Sequence, residues 1–441
     1  MKRLSSPLDV QVELTEACNQ ICRHCYNYWR QERKPPSGEL TTEQFLNIAR
    51  QIHSAKVGGV TLTGGEPMLR KEVLFAMVSE FHNLGIDVGM NSNGALVTNE
   101  DARTLKQCGL DHALISVLGP ESVHNLIAGP GGDFKKTTNG IKNLLEAGIY
   151  VAVNMPVSQT NIHSVLETAE IVKNLGIKNF CSGPIVPSCK SNIPLCLSPT
   201  ECKACLRDLL RVNSELGLNI DILEPLARCL FTAEEEKEFA RFLGNRTCSA
   251  AVSSCAISSK GFMRPCIQSD AIYGNVLPDK FLDVWASMAE WSSPEILPKK
   301  CLECHSVMSC EGGCRMSAKI TSGSYNGPDM YMTEPLFDPE RISIPQTEKD
   351  TECELKTNDL FEFNKRCIIR REEGGYVTYT ANRLEYLTPK GFDFLSLMKR
   401  LEFFSIASLA KETGYSEDNL KPVVKKFLGS NVIKRKDVCH G

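Results

Sequence analysis

The sequence predicts an α/β fold built on a parallel sheet or barrel, followed by a cysteine-rich region and a small winged-helix-like α+β module. Three observations predict this. Up to about residue 225, short apolar or alternating runs are spaced by helix-length segments, as in chained βαβ units. From about 230 to 355 the alternation fades while cysteine, glycine and proline accumulate. From about 356 the pattern becomes regular again. At 441 residues the chain has room for two to four domains of ordinary size.

Residues 9–14 (DVQVEL) alternate apolar and polar side chains and predict the first strand. A periodic segment at 42–56 predicts a helix, 59–63 a short buried strand, and 71–84 a second helix. Further strands are expected at 87–91, 112–117, 150–155 and 179–182, with helices near 99–108, 134–147 and 161–175. That makes six strands, fewer than an eight-fold barrel needs. Catalysis in such folds sits at the C-terminal ends of the strands, so the residues just after each strand are the informative ones. Residues 321–350 are rich in turn formers and predict a long surface loop. Further on, 361–370 and 376–380 flank Glu372-Glu373-Gly374-Gly375, a hairpin signal. Thr388-Pro389 opens a helix as N-cap and first residue, Ser405 and Ser416 can cap two more separated at Gly414, and 431–434 can form a last strand.

Composition excludes several classes. With 50 Lys+Arg against 53 Asp+Glu, the net charge of −3 gives no global field toward nucleic acid or a membrane surface. No apolar run is long enough for a transmembrane helix, and the start MKRLSSPLDVQVEL lacks the apolar core of a secretory signal, so a cytoplasmic protein is expected. The outlier is 20 cysteines. In a reducing compartment that usage points to metal ligation or redox chemistry rather than a disulfide scaffold.

Cys18, Cys22 and Cys25 form C-x3-C-x2-C directly after the first strand, a spacing that chance would give in about 4% of chains of this composition. Three thiolates can hold three irons of a cubane and leave the fourth iron open to a chelating molecule. Thr63-Gly64-Gly65-Glu66-Pro67 ends the second strand, Asn91-Ser92-Asn93-Gly94 the third, Ser116 the fourth, and Asn154 the fifth. With Tyr26 after the third cysteine, this set resembles the radical SAM superfamily over about 8–225. The resemblance implies a partial (β/α)6 TIM-like barrel at 1–230 and reductive cleavage of S-adenosylmethionine (SAM) to a 5′-deoxyadenosyl radical. It also implies SAM contacts from Tyr26, Gly64, Gly65, Glu66, Pro67, Asn91, Asn93, Ser116 and Asn154. No arginine stands where many members meet the SAM carboxylate.

Cys301, Cys304, Cys310 and Cys314 form C-x2-C-x5-C-x3-C, a pattern that chance would give about 0.2% of the time. Zinc suits C-x2-C, yet eight cysteines suit two four-thiolate clusters. With Cys248, Cys255, Gly261-x4-Cys266 upstream and Cys353 downstream, the set resembles the SPASM domain, expected at 231–355. That resemblance implies two auxiliary [4Fe-4S] clusters, and three in all with the SAM-binding one. Cys248, Cys255, Cys266 and Cys314 would hold the first, and Cys301, Cys304, Cys310 and Cys353 the second. Cys353 lies 39 residues beyond Cys314, across the long loop. Among the rest, Cys181, Cys189, Cys196, Cys202 and Cys205 cluster in sequence, and Cys202-x2-Cys205 is a weak metal or redox candidate at a helix start. Cys108, Cys229, Cys367 and Cys439 read as structural.

Residues 356–441 carry 16 Lys+Arg against 11 Asp+Glu. A DNA reader would use Lys421, Lys425 and Lys426, but Glu417 and Asp418 open that helix where base contacts belong. The segment instead resembles the small peptide chaperone of pyrroloquinoline quinone biosynthesis, the RiPP recognition element. That implies leader-peptide capture at a strand edge, with a structural lid as the other reading. The combined expectation is a radical SAM maturase that abstracts hydrogen from a ribosomal precursor peptide. The auxiliary clusters would relay an electron for oxidative closure, such as a thioether or C–C cross-link, and a flavodoxin or ferredoxin-like protein would supply electrons. The alternatives are a sulfatase-maturase-like or small-molecule SPASM oxidoreductase and, in another class, an iron–sulfur DNA-binding sensor.

Overall fold

A computed structural model describes residues 3–27, 37–244, 247–334, 355–380, 383–401 and 403–436. Its largest sheet has ten strands. Six follow one another in space as in sequence and run parallel: β1 (Asp9–Glu13), β2 (Gly59–Thr63), β3 (Asp87–Ser92), β4 (His112–Ser116), β5 (Tyr150–Val157) and β6 (Asn179–Pro184). These are the expected strands, with β5 and β6 each continuing two residues further. A seventh, β7 (Asn219–Asp221), pairs parallel with β6. Leu218, Ile220 and Ile222 alternate with Asn219 and Asp221 around this strand, a signal the expected count of six passed over.

Parallel strands need long crossovers. Helices Thr42–Ser54, Lys71–Asn83, Asn99–Cys108, Phe134–Glu146 and Val165–Asn174 supply them. Thr41 with Gln44 and Thr98 with Asp101 close capping boxes that fix two helix starts. A further short helix, Glu121–Ala128, precedes Phe134–Glu146 and had no sequence expectation. Strand residues Val12, Leu62, Val88, Met90, Ile115, Val153 and Phe180 are buried in one continuous core with the inner faces of these helices. Each such side chain contributes roughly 1.5–3 kcal/mol of burial.

The cysteine-rich region continues the same sheet. β8 (Ser254–Ile257) lies parallel beside β1, and β9 (Phe262–Arg264) and β10 (Gly274–Asn275) add antiparallel strands at that edge. The fading alternation at 230–355 thus hides short strands anchored on the barrel's first strand.

The C-terminal elements differ from expectation in one respect. Residues 361–370 are not a single hairpin arm. The chain turns after Asn364, where the Cys367 N–H donates to the Asn364 carbonyl at 2.8 Å and Asn364 Nδ2 donates to the Asn431 carbonyl at 2.8 Å. The turn separates β11 (Phe361–Phe363) from β12 (Ile368–Glu372). β12 forms the hairpin with β13 (Gly375–Thr380), and β14 (Arg383–Leu387) adds a third strand whose other edge is unpaired among the described residues. β11 pairs instead with β15 (Ile433–Arg435). Helix Pro389–Arg400 starts at Thr388, whose Oγ1 accepts from the Gly391 N–H at 3.2 Å. Ser405 and Ser416 cap helices Ile406–Thr413 and Glu417–Gly429, with Gly414 left-handed between them, as expected.

This module docks on the face that carries the N-terminal ends of the barrel strands. The Tyr379 hydroxyl donates to Asp9 at the start of β1. Arg366 Nη1 reaches Asp111, just before β4, at 2.6 Å. Arg370, buried and paired with Glu372, donates to the Ser6 carbonyl at 2.7 Å and to Lys56 and Pro7 at 3.3 Å. Leu4, Leu8 and Tyr379 form a small apolar core of their own between barrel and module. No helix among the described residues is long and apolar enough to cross a membrane.

Candidate functional site

The loop after β1 carries Cys18, Cys22 and Cys25, and the turn after β2 holds it in place. Gly64 has φ +134°, and a Cβ there would come 2.4 Å from the Thr15 carbonyl oxygen. The Gly65 N–H donates to that same oxygen at 2.6 Å, and the Glu66 N–H donates to the Ala17 carbonyl at 2.8 Å. Buried Asn27 closes the loop's far end by donating to the Gly64 carbonyl at 3.0 Å. Only glycine at 64 lets the two backbones approach this closely.

A second clamp was not legible in the sequence. Gly129-Pro130-Gly131-Gly132, after helix Glu121–Ala128, packs on the other side of the cysteine loop. A Cβ at Gly131 would come 1.8 Å from the Asn19 carbonyl oxygen, and one at Gly129 2.5 Å from that of Ile21. Ile21 and Arg23 N–H groups donate to the Ala128 and Ile127 carbonyls at 3.2 and 3.0 Å. The glycine-proline run was a visible signal, but a partner 110 residues upstream was not.

Glu66 is fully buried and does not line the chamber. Its carboxylate accepts from Met68 N at 3.1 Å, Ser92 Oγ at 2.8 Å and Asn93 N at 2.9 Å. It therefore splices the end of β3 to the turn after β2. Pro67 opens the short 3-10 helix Pro67–Arg70 and is likewise buried outside the lining. Asn93 Nδ2 donates to Asn19 Oδ1 at 2.8 Å and lies 3.9 Å from Cys18 Sγ, so the third strand's asparagine reaches the cysteine loop directly. The Gln20 N–H donates to Cys18 Sγ at 3.4 Å, which fixes the sulfur against the loop's own backbone.

A chamber of about 790 Å³ opens along these residues. Cys18, Cys22, Cys25, Tyr26, Gly64 and Gly65 form one wall. Asn91, Asn93, Ser116 and Asn154 form another, with Ser116 and Asn154 directly opposite each other on β4 and β5. Asn154 sits within β5 rather than at its end, because β5 runs on to Val157. His24 also faces the chamber, and burial pushes its pKa down to about 4, which keeps the imidazole neutral at pH 7. The volume suits a ligand of nucleoside size. The donor set, three thiolates in one loop beside polar strand ends, fits a three-cysteine cubane with SAM on its open iron.

Cys248, Cys255, Cys266 and Cys314 line the same chamber. Cys314, Cys248 and Cys266 lie close enough to interact electrostatically, while Cys255 sits on β8 opposite Val10 of β1. Burial pushes the Cys266 thiol up to about 11 and raises those of Cys248 and Cys314. Thiols held this way become thiolates only with a metal, so loading releases protons. Cys301, Cys304 and Cys310 surround a second, smaller chamber. Cys353 lies outside the described residues. Among the described residues no group of three or more His, Cys, Asp or Glu side chains converges on a single metal ion; the cysteines gather around chambers instead. Cys202 and Cys205 are wholly buried in the main core on helix Pro199–Leu216, and burial drives both thiols up, Cys205 to about 12. They pack as apolar side chains.

Known proteins bear on this geometry. Residues 12–172 match the model of the radical SAM superfamily. An AdoMet-dependent heme synthase of Methanosarcina barkeri is 26% identical over 340 residues, which cover 74% of this chain and 96% of the relative. The sporulation killing factor maturation protein SkfB of Bacillus subtilis is 28% identical over 300 residues, 67% of each chain. Among solved structures, Streptococcus suis SuiB bound to S-adenosylmethionine superposes with a TM-score of 0.60 at 18% identity, covering 74% of this chain and 76% of SuiB. Proteins of this family use a [4Fe-4S] cluster and SAM, the pair that the cysteine loop and its chamber fit. Residues 12–172 are a radical SAM domain, and the chain that carries it is an enzyme.

Proposed function

We propose that this enzyme is a peptide maturase that abstracts hydrogen from a ribosomally made precursor peptide and closes an oxidative cross-link such as a thioether or C–C bond. One observation carries the reading. The chamber that begins at Cys18, Cys22 and Cys25 also includes Leu384 and Tyr386 of β14, an edge strand of the C-terminal module. A peptide added along that edge would make main-chain hydrogen bonds to it at the end of the chamber opposite the cysteine loop, with its core segment reaching inward. The relative SkfB is named as a maturation protein, and SuiB has been solved bound to precursor peptide SuiA.

When bound, the cluster and SAM supply a 5′-deoxyadenosyl radical by reductive cleavage of SAM. This chain's residues bind and orient. Cys18, Cys22 and Cys25 would hold the cluster, and the Gly64–Gly65 backbone, Tyr26, Asn91, Asn93, Ser116 and Asn154 would hold SAM. Glu66 keeps Asn93 in position. Enclosure by β1–β6 on one side and the cysteine-rich strands on the other keeps bulk water away from the reacting centre. Cys248, Cys255, Cys266 and Cys314 would hold a first auxiliary cluster, and Cys301, Cys304 and Cys310 part of a second. Residues 1–230, 231–355 and 356–441 then divide SAM chemistry, auxiliary clusters and peptide capture between them, with a flavodoxin or ferredoxin-like protein as electron donor.

A second reading, chemistry on a tetrapyrrole, is favoured by the near-complete coverage of the heme synthase relative. About a quarter of this chain lies outside that match, and a strand edge opening on the chamber has no use for a rigid macrocycle. The test offers the anaerobically reconstituted full-length enzyme, with SAM and dithionite, short peptides encoded beside its gene or an iron porphyrin. Peptide should raise 5′-deoxyadenosine formation, and Tyr386→Glu should weaken peptide binding at least tenfold. Stimulation by porphyrin and indifference to every peptide would overturn the reading.

A further inference from the structure

The second chamber holds one more cysteine than Cys301, Cys304 and Cys310. Cys229, in the short 3-10 helix Arg228–Leu230, lines it together with Cys301, Cys304 and Cys310. The barrel's last segment thus delivers a fourth thiol from 72 residues upstream of Cys301. We propose that Cys229, and not Cys353, is the fourth thiolate of the second auxiliary [4Fe-4S] cluster; this rests on the auxiliary-cluster reading above.

Three independent features support it. Cubane clusters take four thiolates, one per iron, and Cys229, Cys301, Cys304 and Cys310 complete that number within one chamber. Two backbone N–H groups already point at the sulfurs: Thr333 N donates to Cys229 Sγ at 3.2 Å, and Arg228 N donates to Cys310 Sγ at 3.3 Å. Amide donors of this kind stabilise negative charge on ligating sulfur.

The third feature is a buried cation. Arg228 is only 3% exposed and lines the chamber. Its Nη2 donates to the Leu243 carbonyl, yet Nε and Nη1 have no hydrogen-bond partner among the described residues. An arginine buried without an anion is costly. A four-thiolate cubane carries net negative charge and would supply the missing counter-charge. Met332 also borders the chamber, with its Sδ 3.7 Å from Cys301 Sγ. A thioether is neutral, so it leaves the Arg228 charge unmet.

Iron content and spectroscopy of the full-length chain decide the matter. Wild type should hold about twelve irons. Cys229→Ala should fall to about eight, or show the oxidised-state EPR signal of a three-iron cluster, while Cys353→Ala keeps about twelve and an unchanged reduced spectrum. A SAM-induced change in the EPR of the Cys18/Cys22/Cys25 cluster shows that each variant is folded. Should Cys229→Ala not fold, Cys229→Ser decides: full iron with a shifted EPR spectrum supports ligation, and an unchanged spectrum overturns it. Iron loss from Cys353→Ala with none from Cys229→Ala also overturns the assignment. Unchanged iron in Cys301→Ala shows instead that no second auxiliary cluster exists, a failure of the underlying reading that the other variants do not produce.

Discussion

Ser92 Oγ donates to Glu66 Oε1 at 2.8 Å, and that contact joins the two strand ends from which the chamber's polar wall is built. Glu66 thereby positions both strand ends, beside the SAM contact that the family resemblance implies for it. Glu66→Ala would leave the Ser92 hydroxyl and the Asn93 N–H without an acceptor, at a cost of about 1–3 kcal/mol. SAM affinity should fall at least tenfold by calorimetry while the iron content stays at the wild-type level. Unchanged SAM affinity would sink this role.

Gly64→Ala tests the backbone splice. Its Cβ would press on the Thr15 carbonyl oxygen at 2.4 Å, in a backbone conformation that costs a non-glycine residue on the order of 1–3 kcal/mol. The cysteine loop should be displaced and the protein should lose about four irons. Gly85→Ala is the control. It has φ +74° with nothing within 4 Å of its Cβ, so it should lose stability but no iron.

Cys22→Ala separates the clusters. It should abolish 5′-deoxyadenosine formation, measured by chromatography, and retain about eight irons from the auxiliary sites. SAM cleavage by this variant in dithionite would contradict the assignment of the loop.

The seam between barrel and module should respond to pH through Asp9. Burial pushes its carboxyl up to about 6 from an ordinary 3.8, against a lowering contribution from the Tyr379 hydroxyl. The folded state therefore holds the proton more tightly than the unfolded chain does. This group's contribution to stability is complete below about pH 4 and is lost as pH rises to about 6. Asp9→Asn keeps an acceptor for Tyr379 and cannot titrate. Its stability relative to wild type should rise between pH 4 and pH 6 and level off above, as read by urea midpoints. A difference that does not change with pH would exclude the seam as a titrating site.

Arg370 and Glu372 form a buried ion pair whose arginine also binds three barrel carbonyls. Arg370→Ala would leave the buried Glu372 charge with only the Ser5 N–H and hydroxyl to meet it and cost about 3–5 kcal/mol. Hydrogen exchange should show the module loosening from the barrel first. Basal SAM cleavage without peptide should persist, because the cysteine loop lies at the opposite ends of the strands.

Much was determined by the sequence alone. The strand–helix alternation, the caps at Thr388, Ser405 and Ser416, and the three-cysteine loop are local patterns, written within a few residues, where period and spacing suffice. Other features were decided only by the tertiary structure. β8 is too short to carry a period and is placed by the edge that β1 offers it. The glycine clamp at 129–132, the inward turn of Glu66 away from the chamber, and the approach of Cys229 to Cys301, Cys304 and Cys310 all join residues distant in sequence. Such contacts are fixed by how the sheet brings loops together, and sequence spacing carries no record of that distance.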